Sequence, residues 1–172
     1  MITLTKIISG GQTGADQAAL DAAIALRIPH GGWIPKGRLT EAGPLPGKYN
    51  LTEMPTKDYL KRTKQNVLDS DGTVIFSHGD LTGGSKRTAD FATELCKPFL
   101  HIDLNKTLPS ESGEVLAAWI KAHNIGVLNV AGSRASKDPE IYDRVRVVMQ
   151  IAVEALQEQE TWVGVPPGET VH

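Results

Sequence analysis

Short apolar runs alternate with stretches of helical periodicity along most of the chain. Lys6-Ile7-Ile8-Ser9 is one such run, and it stops at Gly10-Gly11, which predicts a short strand. From Gly14 to Leu26 the residues Ala15, Ala18, Ala19, Ala22, Ala23 and Leu26 recur at helical spacing. Nearly all are alanines, so this helix is expected to lie close against a sheet. Thr56 to Leu68 predicts a helix with Tyr59, Leu60, Thr63 and Val67 on one face, and Arg62 mid-helix is expected in solvent or against a neighbouring subunit. Thr73-Val74-Ile75-Phe76 is the clearest strand, β-branched and apolar as a strand covered on both faces should be. Gly83-Gly84 opens a helix reaching about Cys96. Phe99 to Ile102 reads as a strand, Ser112 to His123 as a helix and Val127 to Val130 as a strand. Asp138 suits the N-cap and Pro139 the first turn of a last helix that runs to about Glu158.

One segment breaks the alternation. His30 to Asn50 carries Gly31, Gly32, Pro35, Gly37, Gly43, Pro44, Pro46 and Gly47. It predicts a short strand at Trp33-Ile34 and then a long ordered loop. A loop of that length is usually functional or disordered, and Trp33, Lys36 and Arg38 favour function.

Repeated strand–helix alternation predicts an α/β fold, a Rossmann-like three-layer sandwich with a mostly parallel sheet of about five or more strands. Residues 1–160 read as a single ligand-binding domain and 161–172 as a C-terminal tail. The 172 residues suffice for a sizeable core, and 40% hydrophobic with 22% charged residues is a globular profile. A formal charge of −2 supplies no global positive field, so neither nucleic acid nor a membrane surface is an expected partner, and anion binding must be local. Cys96 is the lone cysteine, which excludes an internal disulfide and a Cys₄ zinc site. No stretch approaches the roughly 18 apolar residues of a membrane span, and a cytoplasmic location is expected.

In open parallel sheets ligands bind beyond the carboxyl ends of the strands. Three loops here leave a strand and enter a helix. The first holds Gly10, Gly11, Gln12, Thr13, Gly14 and Asp16. Glycines allow close backbone approach, and amides at a helix start face an anion as free donors. Read blandly, the same residues are a tight turn with Thr13 and Asp16 as a capping box. Asp16 would repel a phosphate, but it could accept from a sugar or pterin N–H. The second loop holds Ser77, His78, Gly79, Thr82, Gly83, Gly84, Ser85, Arg87 and Thr88. Hydroxyls, amides and a guanidinium together suit an oxyanion. The third holds Gly132, Ser133 and Arg134, and here a plain connection is an equal reading. Trp33 is placed to stack on a planar ligand. Asp69 and Asp71 precede the central strand, so they belong to the opposite end of the sheet as turn and capping groups. The P-loop pattern is absent, the first loop is not a true Gly-x-Gly-x-x-Gly, and no catalytic triad, carboxylate pair or metal-ligand spacing stands out.

Several of these runs together resemble the molybdenum cofactor carrier proteins. They are Ser9-Gly-Gly-Gln-Thr-Gly-Ala-Asp-Gln-Ala-Ala-Leu20, Gly31-Gly-Trp-Ile-Pro-Lys-Gly-Arg38, Gly43-Pro-Leu-Pro46, Tyr59-Leu-Lys-Arg-Thr63, Asn66-Val67, Asp69-Ser-Asp-Gly-Thr73, Thr82-Gly-Gly-Ser85 with Thr88, and Asn129-Val-Ala-Gly-Ser-Arg134. The resemblance implies a homo-oligomeric Rossmann-like binding protein whose ligand is molybdenum cofactor, a pterin with a terminal phosphate, and molybdoenzymes as partners receiving it. It also implies a more distant relation to the cytokinin-activating phosphoribohydrolases, and hence an alternative: a nucleotide-binding enzyme or nucleotide sensor. Those relatives carry Pro-Gly-Gly-x-Gly-Thr-x-x-Glu, whereas this chain has Thr82-Gly-Gly-Ser-Lys-Arg-Thr-Ala-Asp90. Asp90 stands at the glutamate's place, so Asp16 and Asp90 are the catalytic candidates under the enzyme alternative only.

Overall fold

The structure, a computed structural model, describes residues 4–163. Its centre is a five-stranded, all-parallel sheet. The elements run β1 (Lys6–Ser9), α1 (Ala15–Ala25), β2 (His30–Gly31), β3 (Trp33–Ile34), β4 (Leu39–Thr40), β5 (Gly43–Pro44), β6 (Thr52–Glu53), α2 (Tyr59–Leu68), β7 (Gly72–Ser77), α3 (Gly83–Glu94), β8 (Phe99–Asp103), α4 (Pro109–Ala122), β9 (Val127–Gly132) and α5 (Ile141–Val163). The sheet order is β2-β1-β9-β7-β8. This is the α/β three-layer arrangement that the alternation predicts.

Side-chain alternation along the strands sorts the two faces. Ile7, Val74, Phe76, Leu128 and Val130 join the main core with the buried residues of α1, α4 and α5. The alanines of α1 do what their size suggests: Ala15, Ala18, Ala19, Ala22 and Ala23 are all buried. The close approach extends to Gly132, where an added Cβ would stand 2.7 Å from the Ala15 Cβ and 2.5 Å from the Phe76 carbonyl oxygen. On the other face α2 and α3 pack together through Val67, Phe91 and Ala92. Between those helices and the sheet lies Asn129, whose Nδ2 donates to Thr73 Oγ1 at 3.2 Å, so both buried polar side chains are satisfied.

Sheet order brings the three glycine-bearing loops together. The strand β9 lies between β1 and β7 although it is last in sequence. The loops after β1, β9 and β7 are therefore neighbours at one end of the sheet. At the opposite end Asp71 Oδ2 accepts from the Gly126 and Val127 amides at 3.0 and 2.7 Å, the capping role expected of it.

The structure also adds to and departs from what the sequence predicts. Trp33-Ile34 is a strand as expected, and it pairs with β6 in a separate two-stranded ribbon, while β2 pairs with β1 at one edge of the main sheet. The long segment after it folds on its own small core of Leu20, Ile34, Leu45, Tyr49 and Leu51. The last helix starts at Ile141, not at Pro139. Asp138 closes a turn by accepting from the Glu140 amide at 3.2 Å and spends its other oxygen elsewhere. That helix continues to Val163, past the boundary drawn at 160, and 164–172 of the predicted tail lie outside the described residues. Arg62, expected in solvent, is 7% exposed. No helix among the described residues is long and apolar enough to cross a membrane.

Candidate functional site

At the carboxyl ends of β1 and β9, under α2 and α3, lies a cleft of about 310 Å³. Its walls include Gly10, Gln12 and Asp16 from the first loop and Thr82, Gly84, Ser85 and Thr88 from the second. The third loop contributes Gly132, Ser133, Arg134 and Lys137. An open pocket lined by Ser77, His78, Asp138 and Glu140 adjoins it and shares Thr82, Ser85, Ser133 and Lys137.

The loops differ in what they offer. In the first, four amides are bonded within the protein: Gly11 to Ser9 Oγ (3.3 Å), Gln12 to Asp16 Oδ2 (3.2 Å), Thr13 to Gln12 Oε1 (3.0 Å) and Ala15 to the Ser133 carbonyl (3.1 Å). The expectation of free donors there is narrowed, because Ser9, Gln12 and Asp16 supply acceptors from inside the loop and only the Gly14 and Asp16 amides are without one among the described residues. Its glycines serve geometry. Gly14 has φ +81 and packs so tightly on the third loop that an added Cβ would meet the Ser133 carbonyl oxygen at 2.4 Å.

The start of α3 is different. The first turn of a helix has amides without intrahelical acceptors. Among the described residues nothing accepts from the Gly83, Gly84 or Ser85 amides, and Thr82, at the N-cap, makes no side-chain cap bond. Lys137 Nζ stands 3.3 Å from where a Cβ on Gly83 would be and pairs with no carboxylate among the described residues. An ammonium beside the positive end of a helix dipole is unfavourable until an anion joins it. The β8 end fixes this loop from behind: Asp103 Oδ1 accepts from the Gly79 amide at 2.8 Å, and Ser77 Oγ is 2.7 Å from His101 Nε2. His78 Nδ1 lies 2.5 Å from Asp138 Oδ2.

The floor of the cleft carries an acid and a base. Arg62 reaches from α2 under the first loop, where its Nη1 donates to the Gly10 carbonyl. Its Nε has no partner, the sole buried side-chain polar atom in that state among the described residues. Glycine at position 10 leaves room for the guanidinium, which a Cβ there would displace, the Nη1 standing 2.0 Å from its place. Burial pushes the Asp16 carboxyl up to about 6, against the opposing pull of Arg62 and of the Gln12 and Gly10 amides. Burial also lowers Arg62 from its ordinary value, and Asp16 offsets part of that.

A strap closes one side. Glu41, in the loop between β4 and β5, accepts from Thr13 of the first loop and from the Ser136 amide (3.0 Å) and hydroxyl of the third. Arg134 Nε lies 3.5 Å from the same carboxylate. These hydrogen bonds hold Glu41 well below its ordinary carboxylate range.

Other predicted residues stand elsewhere. Trp33 donates its Nε1–H to Asp69 at 2.6 Å, and Lys36 is exposed; neither is at the cleft wall. Arg38 folds back on its own loop and donates to the carbonyls of Leu45, Pro46, Tyr49 and Leu51. Arg87 stacks over Phe91 at 5.0 Å, and Asp90 faces Lys86 and Arg87 on the outer surface of α3. Both lie outside the cleft. Sequence reasoning missed Glu41, Arg62, Asn66, Asn129 and Lys137.

The sequence pattern of the circularly permutated YpsA SLOG family matches residues 7–153. The chain belongs to that family. Among solved structures it is similar to the crystal structure of a "Putative molybdenum carrier protein" from Syntrophus aciditrophicus SB. The two share 56% identity with a TM-score of 0.86, over 88% of this chain and 96% of that one. No curated protein matches. Membership fits the geometry just described, in which a late strand inserted beside β1 brings three loops to one cleft.

Proposed function

We propose that this member of the family binds and carries molybdenum cofactor, or a similar phosphate-bearing pterin, in the cleft at the carboxyl edge of the sheet. The observation that carries the reading is the α3 start: three free amides with Lys137 Nζ beside them, a set of donors that an anion completes. The terminal phosphate takes that place, with Ser85 and Thr82 as hydroxyl neighbours. The first and third loops form the wall for the ring system, and Glu41 links them across the opening. The solved relative's printed name supports a carrier role. In this reading homo-oligomer formation and delivery to molybdoenzymes follow from that role. The alternative, an enzyme acting on nucleotides, loses one of its two carboxylates, since Asp90 faces away from the cleft.

Anaerobic titration calorimetry with molybdenum cofactor tests the phosphate's place. Lys137→Ala is expected to weaken binding about 10- to 100-fold, the value of a charge-assisted hydrogen bond. Arg87→Ala, outside the cleft, should leave the affinity within about twofold. The reverse ranking would move the anion off the α3 start.

A further inference from the structure

The cleft floor has a donor and an acceptor that the fold does not use up. Arg62 is 7% exposed and Asp16 8% exposed, and both line the cleft. They flank Gly10: Arg62 Nη1 donates to its carbonyl, while Asp16 Oδ2 takes the amide of Gln12 two residues on. A buried guanidinium N–H without an acceptor is a costly group to leave alone. Nothing among the described residues satisfies Arg62 Nε, and Asp16 accepts from the backbone amides of Gln12 and Gly10 but from no side chain. A ligand that satisfied both would present an oxo acceptor to the guanidinium and N–H donors to the carboxylate. A carboxylate has about four lone-pair sites, so two remain for a ligand beside those amides. Adjacent ring N–H and amino donors next to an oxo group are the edge of a fused 2-amino-4-oxopyrimidine ring, found in both pterin and guanine.

We propose that the cleft floor reads this edge, Asp16 accepting from the ring N–H and the amino group and Arg62 donating to the oxo oxygen. The inference rests on the proposed function for its ligand-bearing cleft, and it adds an orientation: heterocycle inward against Gly10, phosphate outward at α3. It assigns Asp16 as a specificity-determining residue. Replacing the 2-amino group by an oxo group, as in lumazine, would put an oxygen against the carboxylate, which the site repels, and replacing it by hydrogen, as in inosine monophosphate, removes one donor. Asp16 has to be ionised to accept both donors, so recognition of the amino group fades as the pH falls through 6. The charged groups around it are Arg62 from α2 and, elsewhere in the cleft wall, Glu41, Arg134 and Lys137.

The test uses the wild-type chain and pairs of ligands that differ only at the 2-position, at a fixed concentration of inorganic phosphate. The pairs are pterin against lumazine, and guanosine monophosphate against inosine monophosphate. At pH 7.5 one or both amino-bearing partners should bind about tenfold tighter than its mate, the worth of one hydrogen bond to a charged group. The gap should narrow at pH 5 and vanish in Asp16→Asn. Whichever pair shows the gap identifies pterin or guanine as the source of the edge. Equal binding within both pairs, no detectable binding by either, or a gap that survives Asp16→Asn overturns the inference. Its failure is separable from that of the carrier reading. A chain that binds molybdenum cofactor but ignores the amino group refutes only the edge. A chain that prefers guanosine monophosphate and ignores the cofactor refutes only the carrier.

Discussion

Gly14→Ala should lower the stability of the folded chain by about 4 kcal/mol, the sum of backbone strain and overpacking. Gly14 has φ +81 and ψ −126, a region in which an L side chain is strained on its own account. The added methyl would also meet three backbone atoms of the third loop: Ser133 O at 2.4 Å, Ala135 N at 2.9 Å and Arg134 C at 3.0 Å. Backbone on one side and a helix start on the other leave little room to yield. Because Ala15 N donates to Ser133 O, moving the loops apart also breaks the bond that joins them. At about 2–4 °C per kcal/mol for a chain of this size, the melting temperature should fall by roughly 8–16 °C. Gly47→Ala is the control, with nothing within 4 Å of its added Cβ and no positive φ, and it should stay within about 0.5 kcal/mol. A Gly14→Ala protein that melts with the wild type would mean that the first and third loops are not locked together as described.

Asp16→Asn should act in the opposite direction, and with a pH signature. The folded-state carboxyl sits at about 6 against an ordinary value of 3.8. A raised carboxyl value means that folding disfavours the charged form. The penalty is absent below about pH 4, grows between 4 and 6, and is fully present above 6. Two pH units correspond to about 3 kcal/mol at 1.36 kcal/mol each. The Asn variant, neutral throughout, should therefore be more stable than wild type by up to about 3 kcal/mol at pH 7.5. The two should converge near pH 3.5. Urea unfolding at a series of pH values reads the difference directly. A variant less stable at pH 7.5 than wild type would show that Arg62 depends on the Asp16 charge more than burial opposes it. A residue kept at such a cost fits a role toward ligand, since binding sites tend to retain what stability alone would discard.

The loops were legible in the sequence because each follows an apolar run and carries glycine or small hydroxyl residues, and strand–helix alternation alone puts all three at one edge. The packing of α1 was legible in its alanines. What the residues bond to was less so. Arg62 reads as a solvated helix charge, because α2 is polar along most of its length and nothing local says which face a third layer will cover. Glu41 reaches Ser136 across 95 residues, a pairing that no spacing rule anticipates. The first loop looked like a source of free amides because its glycines are visible and its internal acceptors are not. Conversely, the guanidinium of Arg38 satisfies four carbonyls of its own loop, a structural task indistinguishable in sequence from readiness to close over an anion.

Melting temperature under anaerobic titration shows whether the cleft holds a phosphate-bearing pterin. Ligand at about 100 times its dissociation constant adds about 2.7 kcal/mol to the folded state, which is roughly 5–11 °C for a chain of this size. Molybdenum cofactor is expected to give that shift, and inorganic phosphate or molybdate at the same concentration a far smaller one. A melting temperature unmoved by saturating cofactor, with a clear rise on adding a nucleoside monophosphate, would contradict the account.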